Sequence, residues 1–278
     1  MAASALGLTE RTVCGVRYLT APHLGCPHGF STRVGGVTTP PGRASLDLSL
    51  PTDETRAEIM ENLTRFSRAV GFSPRSLVSL RQVHGCEVRT VGEREAGTAY
   101  FSDSDDGCDG YLTCARGVTL GVRTADCVPI LLSAVDEYNR PYMVAALHAG
   151  WRGTVAGIAR AGVARMLSLG AKPKHLRAAI GCAIHACCFV VDGEVRQAFR
   201  DAFGETVCRD REARDPQNPE KWHIDLIAHN RWQLESSGVP SDAVAVGDRC
   251  TCCTPSRFYS HRRDGSARGS MLSVICLP

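Results

Sequence analysis

Residues 117–170 read GVTLGVRTADCVPILLSAVDEYNRPYMVAALHAGWRGTVAGIARAGVARMLSLG. Val118, Leu120 and Val122 alternate, which predicts a strand over 117–124 that ends beside Asp126 and Cys127. The run VPILLSAV, Val128 to Val135, is apolar almost throughout and far too short to span a membrane, so it reads as a core strand. PYMVAAL over 141–147 predicts a further strand that delivers His148. Beyond it, Val155, Ile158, Ala159, Val163, Met166 and Leu167 share one face of a helix predicted over 153–169, with Gly170 placed to end it.

Strand-like and helical stretches keep alternating outward from this segment. Ile59, Leu63, Phe66 and Val70 fall at helical spacing over 53–70, with Thr52 or Asp53 as cap and Gly71 as terminator. Leu77 to Val83 reads as a strand running into His84. Further helices are predicted over 193–203, where Val195, Phe199 and Phe203 are in phase, and over 225–236, ending before Gly238. Residues 209–221 are polar, and 92–107 hold glycine and acidic residues; both read as loops. With no repeat and no clear linker, the pattern predicts a single α+β domain.

The chain has 278 residues, 32 Lys and Arg against 29 Asp and Glu, and a net charge of +3. So small an excess gives no electrostatic case for a nucleic-acid or anionic-membrane partner. A hydrophobic share of 44% with 22% charged residues is ordinary for a globular protein. The 14 cysteines are unusual. The opening MAASALGLTERTVCGV has neither a basic n-region nor a long apolar h-region, and the adjacent pairs Cys187-Cys188 and Cys252-Cys253 are poorly placed to bond within themselves. The expectation is a reducing, cytoplasmic compartment in which most cysteines are free, small hydrophobes.

Three segments place a metal-capable residue at a strand end: Gln82-Val83-His84-Gly85, Thr124-Ala125-Asp126-Cys127 and His148-Ala149-Gly150-Trp151-Arg152-Gly153. One cysteine and two histidines satisfy zinc with three protein ligands and leave a fourth position open, as catalytic sites do. The separations of 43 and 21 residues are not finger-like. The competing reading is two histidines in local hydrogen bonds and a buried thiol. Arg152 stands near the start of a predicted helix, where an anion could bind, or it is a surface arginine on a glycine-rich turn. Asp126 could orient a ligand histidine, act as a base, or merely cap a turn.

These motifs resemble the YfiH-like family, also called the laccase-domain or polyphenol-oxidase family, and the resemblance runs from about Gly29 to Leu277. Ser31-Thr32-Arg33-Val34-Gly35-Gly36-Val37 matches its N-terminal motif, and the three segments above match its metal-site motifs in order. Asp248-Arg249-Cys250-Thr251 and Ser260-His261-Arg262-Arg263-Asp264 match its C-terminal motifs. The resemblance implies mixed β-sheets flanked by helices, similar to cysteine-hydrolase-like toxin deamidases, with residues 1–28 as an extension and first-strand region ahead of a catalytic domain over 29–278. It implies one zinc held by His84, Cys127 and His148. It also implies phosphorolysis of adenosine, inosine and methylthioadenosine, with adenosine deamination, copper-dependent phenol oxidation and peptidoglycan-precursor editing as other attributed activities.

Multicopper oxidation needs several metal ions and many histidines, whereas only two of this chain's nine histidines stand in the metal motifs, so zinc fits better than copper. Phosphorolysis needs a bound phosphate, for which Arg152, Arg33 and Arg263 are candidates. Cys127 with His148 as base could instead be the nucleophile of an amide hydrolase, and a zinc-stabilised binding module without turnover is the non-enzyme alternative. The family's usual Ser-Leu-Asn-Leu-Gly appears as Ser45-Leu46-Asp47-Leu48-Ser49, and Arg81 stands where bacterial relatives often have Glu. Cys250 to Cys253 reads either as half a zinc site or as core and loop thiols, and so do Cys182, Cys187 and Cys188 around His185.

Overall fold

The computed structural model describes residues 6–40, 42–79, 81–102 and 107–278. The strand Val128–Val135 forms where expected, and every one of its residues is buried. Its side chains alternate between two cores. Ile130, Leu132 and Ala134 face the helices Ile158–Ser168, Gly193–Phe203 and Leu226–Ser236, while Leu131 faces a second sheet. Burial on both faces is why the segment lacks polar alternation.

The first sheet has seven strands in the order Leu6–Gly7, Val244–Val246, Leu176–Ile180, Val128–Val135, Pro141–Ala149, Gly110–Thr113 and Val88–Thr90. The second has six: Thr9–Val13, Val16–Thr20, His28–Ser31, Met271–Cys276, Thr119–Thr124 and Leu77–Val78. Both mix parallel and antiparallel pairs. Leu19, Phe30, Leu120, Val122 and Ile275 of the second sheet pack against Leu131, Val144 and Ala146 of the first. The outer face of the second sheet is covered by the helix Arg56–Val70 through Ile59, Leu63 and Phe66. The layers therefore run helices, sheet, sheet, helix, an α+β arrangement of mixed sheets flanked by helices. A small three-stranded sheet, Val190–Val191, Trp222–Ile224 and Glu212–Arg214, lies to one side. No helix among the described residues is long and apolar enough to cross a membrane.

Several expected elements differ in extent. The first helix starts at Arg56 rather than 53; its N-cap is Thr55, whose hydroxyl accepts from the Thr52 N–H, so Thr52 and Asp53 lie ahead of it. The strand expected over 77–83 stops at Val78. Beyond it the Gln82 side chain replaces the ladder, donating to the Arg123 carbonyl and accepting from the Arg123 N–H, both at 2.8 Å. That amide pairing frees the backbone to turn, and His84 adopts φ 61°. His148 lies within its strand, which extends to Ala149. The polar stretch 209–221 is not all loop, since Glu212–Arg214 pairs with Trp222–Ile224. Of the loop expected over 92–107, residues 103–106 lie outside the described residues.

The helix expected over 153–169 is two helices, Trp151–Ala156 and Ile158–Ser168, broken at Gly157 with φ 89°. The cause is Gln233, whose amide donates to the Thr154 carbonyl at 2.9 Å and accepts from the Arg160 N–H at 3.2 Å. One side chain thus adds a second bond to the Thr154 carbonyl, which also accepts from the Gly157 N–H at 3.1 Å, and accepts from a first-turn N–H of the second helix. Local periodicity carries no trace of it.

Candidate functional site

The loop of residues 81–85, the turn 125–127 and the strand end His148–Ala149 meet at one place. They bring together the three side chains singled out by the motifs. The ligand atoms of His84, Cys127 and His148 all lie within 4.8 Å of one another. His84 Nε2 is 4.0 Å from Cys127 Sγ, and the two imidazoles meet edge to face at 4.9 Å. The close approach explains Gly150: a Cβ there would stand 2.8 Å from His84 Cδ2 and 3.4 Å from Cys127 Sγ. His84 and Asp126 both hold positive φ, 61° and 99°, in residues for which that region is uncommon.

Asp109 organises this site, and sequence reasoning missed it. It is fully buried at the start of the strand Gly110–Thr113. Its carboxylate accepts from the N–H groups of Val83 (3.2 Å), His84 (2.9 Å) and Gly85 (2.6 Å), and its Oδ1 is 2.7 Å from His148 Nδ1. A proton on Nδ1 therefore points at Asp109, and His148 Nε2 is left for Cys127 or a metal. Burial would raise the Asp109 carboxyl, but His148 and the Gly85 and His84 N–H groups outweigh it and hold it below its usual range. The only signal in sequence was a carboxylate placed directly ahead of an apolar strand.

Asp126 does not orient the histidine. Its carboxylate accepts from Thr251 Oγ1 (2.6 Å), Ser260 Oγ (3.0 Å) and the Arg262 N–H (2.7 Å), so it ties the Cys127 turn to the two C-terminal loops. Burial would raise the Cys127 thiol, yet His148 and His84 overcome it and depress it. Burial would lower His148, yet Cys127 and Asp109 raise it. The pair therefore favours thiolate and imidazolium; a cation bound there would displace the proton from His148 Nε2, leaving a thiolate and a neutral imidazole as donors. One thiolate and two imidazoles around an open side fit zinc with a free coordination position.

The trio stands where two lobes of a cleft meet; His84, Ala125, Cys127 and Arg268 line both. One lobe, about 410 Å³, carries Trp151, Ile184, Phe189 and Leu226 together with Arg152 and Arg262. The other, about 290 Å³, carries Arg81, Arg123, Arg268 and Ser270. Arg152 lies over the Trp151 ring, 4.3 Å from its centroid. The helix it begins is only six residues long, so the arginine rather than the helix dipole supplies the charge.

Arg33 and Arg263 lie outside the residues that line either lobe. Arg33 donates to the carbonyls of Ala44 and Pro255 and covers Tyr259. Arg263 donates to Thr251, Cys252 and Phe258 carbonyls and pairs with Asp264. Arg268, which the sequence reading passed over, lines both lobes and has a buried Nε without a partner among the described residues. Asp47 is fully buried and holds Arg43, Ser49 and the Ser270 N–H, so the carboxylate in that segment supports a wall residue rather than facing the cleft.

The family model described as "Multi-copper polyphenol oxidoreductase laccase" matches residues 27–278. A Deinococcus radiodurans protein named purine nucleoside phosphorylase is 38% identical over 268 residues, covering 96% of this chain and 95% of its own. A protein named adenosine deaminase RL5, from an unknown prokaryotic organism, is 35% identical over 248 residues, with 88% and 92% covered. The crystal structure of the Bacillus licheniformis hypothetical protein YfiH superposes with a TM-score of 0.86 at 27% identity, covering 97% of this chain and 99% of that one.

Proposed function

The chain belongs to the YfiH-like laccase-domain family, and from that premise we propose that it is an enzyme of purine nucleosides, cleaving adenosine, inosine and methylthioadenosine with phosphate to the free base and the pentose 1-phosphate, ribose 1-phosphate from adenosine and inosine. Its relatives named purine nucleoside phosphorylase and adenosine deaminase support a nucleoside substrate. The observation that carries the reading is the junction of an aromatic, apolar lobe with an arginine-lined lobe at the His84, Cys127 and His148 trio. The flat aromatic faces of a purine suit Trp151, Ile184, Phe189 and Leu226, and an inorganic phosphate suits guanidinium groups. Arg268, with Arg123 and Arg152 nearby on the lining, replaces Arg33 and Arg263 as the phosphate candidate.

In this reaction a phosphate oxygen forms a bond to C1′ while the C1′–N9 bond breaks and the base leaves with its electron pair. His84, Cys127 and His148 would hold a zinc ion, which supplies Lewis acidity and lowers the pKa of a water when one is bound. Asp109 fixes the His148 tautomer, and Asp126 fixes the turn that presents Cys127. Arg268 and Arg152 hold the anion beside the sugar. Adenosine deamination is the second reaction of the same site: water adds at C6 of the purine, the 6-amino group leaves as ammonia, and the C1′–N9 bond stays intact.

Purified, zinc-loaded protein incubated with adenosine or inosine is expected to release base only when phosphate is present. No base from any of the three nucleosides, with phosphate and zinc supplied, overturns the proposal. The half-buried Cys127 thiol beside the buried His148–Asp109 pair favours a second reading, a thiol nucleophile with an oriented base. In that case amide hydrolysis persists in metal-free protein and is abolished by a thiol alkylator.

A further inference from the structure

Away from the cleft trio, two loops bring four cysteines to one point. Cys187 and Cys188 follow the loop after the strand Leu176–Ile180, and Cys250 and Cys253 lie in the turn after Val244–Val246. Their four Sγ atoms all fall within 4.8 Å of one another. Cys188 and Cys253 are 3.2 Å apart, Cys187 and Cys253 3.7 Å, and Cys187 and Cys188 3.8 Å. Sulfurs at the corners of a tetrahedron with Zn–S bonds of about 2.3 Å stand ~3.8 Å apart. A disulfide needs about 2.05 Å.

We propose that Cys187, Cys188, Cys250 and Cys253 form a second, structural metal site that takes a zinc ion in all-thiolate coordination. Binding replaces four thiol protons by one Zn²⁺ and leaves a centre of charge −2, with no change of oxidation state. The surroundings suit that charge. The His185 N–H points at Cys250 Sγ at 3.4 Å, with the Cys252 and Cys253 N–H groups aimed at the same sulfur. Arg262 donates to the Cys188 and Val190 carbonyls, and Arg263 to those of Thr251 and Cys252, so two guanidinium groups brace the loops that carry the sulfurs. Burial would raise Cys250, but these N–H donors and the Cys187 thiol pull it down. Burial and neighbouring thiols push Cys187 and Cys188 up, a cost of crowded sulfurs that a bound cation reverses. Cys187 and Cys253 are exposed, which gives the ion a path in.

The same loops build the cleft. Ile184 and Phe189 line the apolar lobe, and Thr251 donates both to Asp126 and, through its N–H, to the Ala183 carbonyl. A metal clamp between them would hold that wall in place without touching substrate.

Protein purified in reductant and loaded with zinc is expected to hold two equivalents per chain. The Cys187→Ser, Cys253→Ser double variant should hold one, while His84→Ala should keep the thiolate site. Cobalt substitution should give an intense thiolate-to-cobalt charge-transfer band that the double variant loses and His84→Ala retains, which separates this site from the cleft trio. In wild-type protein, where misfolding of a variant is not at issue, zinc should block alkylation of the four thiols and a chelator should restore it. Equal alkylation with and without zinc, or recovery of a Cys188–Cys253 disulfide from reductant-purified protein, overturns the proposal.

Discussion

Replacing Asp109 by Asn tests the organisation of the cleft trio at its most connected atom pair. The carboxylate accepts three backbone N–H bonds and one from His148, all within 3.2 Å, in a fully buried position. An amide has the same shape but only one acceptor oxygen. If its NH₂ group takes the Oδ2 place, the Val83 and Gly85 N–H groups face a donor. If it takes the Oδ1 place, it opposes the His84 N–H and forces His148 to accept at Nδ1, which puts the proton on Nε2. One or two buried donors lose their partner either way, at ~1–3 kcal/mol each. The expected destabilisation is about 2–5 kcal/mol, a fall in Tm of roughly 4–10 °C for a chain of this size. Loss of an orienting carboxylate behind a ligand histidine weakens metal binding about 10–100-fold. Thermal melting with and without zinc, together with competition against a chelator of known affinity, reads both quantities. An Asn variant that binds zinc within about twofold of wild type and melts unchanged would refute the orienting role of Asp109.

Other outcomes follow from single contacts. Gln233→Ala removes the amide that caps both helices at Gly157, and should cost about 1–3 kcal/mol of stability while leaving zinc stoichiometry in the cleft unchanged; a melt equal to wild type would remove Gln233 as the cause of the break. Gly150→Ala drives a methyl group to 2.8 Å from His84 and should abolish cleft metal binding with a smaller effect on folding, read by metal analysis beside circular dichroism; retained metal would contradict the close approach. Burial lowers the pKa values of His23, His28, His185 and His229 below the ordinary value. The unfolded chain then takes up protons first, from about pH 6.5 downward. Their stabilisation is complete above that pH and is lost as pH falls toward the folded-state values, so zinc-loaded protein should melt at lower temperature at pH 5.5 than at pH 7.5. A melt that rises on acidification would show that these imidazoles are not held neutral.

The sequence by itself determined the elements whose cause is local. Val128–Val135 is read from an unbroken apolar run because both faces of that strand are buried, and Gly193–Phe203 from helical spacing alone. The motifs also located His84, Cys127 and His148, because strand ends are where a rigid sheet presents functional groups. Partners that meet through tertiary contact stayed invisible. Asp109 reaches His148 across 39 residues and Gln233 reaches Thr154 across 79, and neither distance leaves a periodic trace. Arg33, Arg263 and Arg268 are chemically identical in a sequence. Only the fold decides that the first two lie off the cleft, while the third lines it and, though its Nη1 donates to Gly269 and Ser270, keeps a buried Nε without a partner among the described residues. The cysteines divide in the same way, since adjacent thiols and a lone CxxC become one four-sulfur cluster only when loops that place Cys188 and Cys253 65 residues apart in sequence are laid side by side by the parallel pairing of Leu176–Ile180 with Val244–Val246.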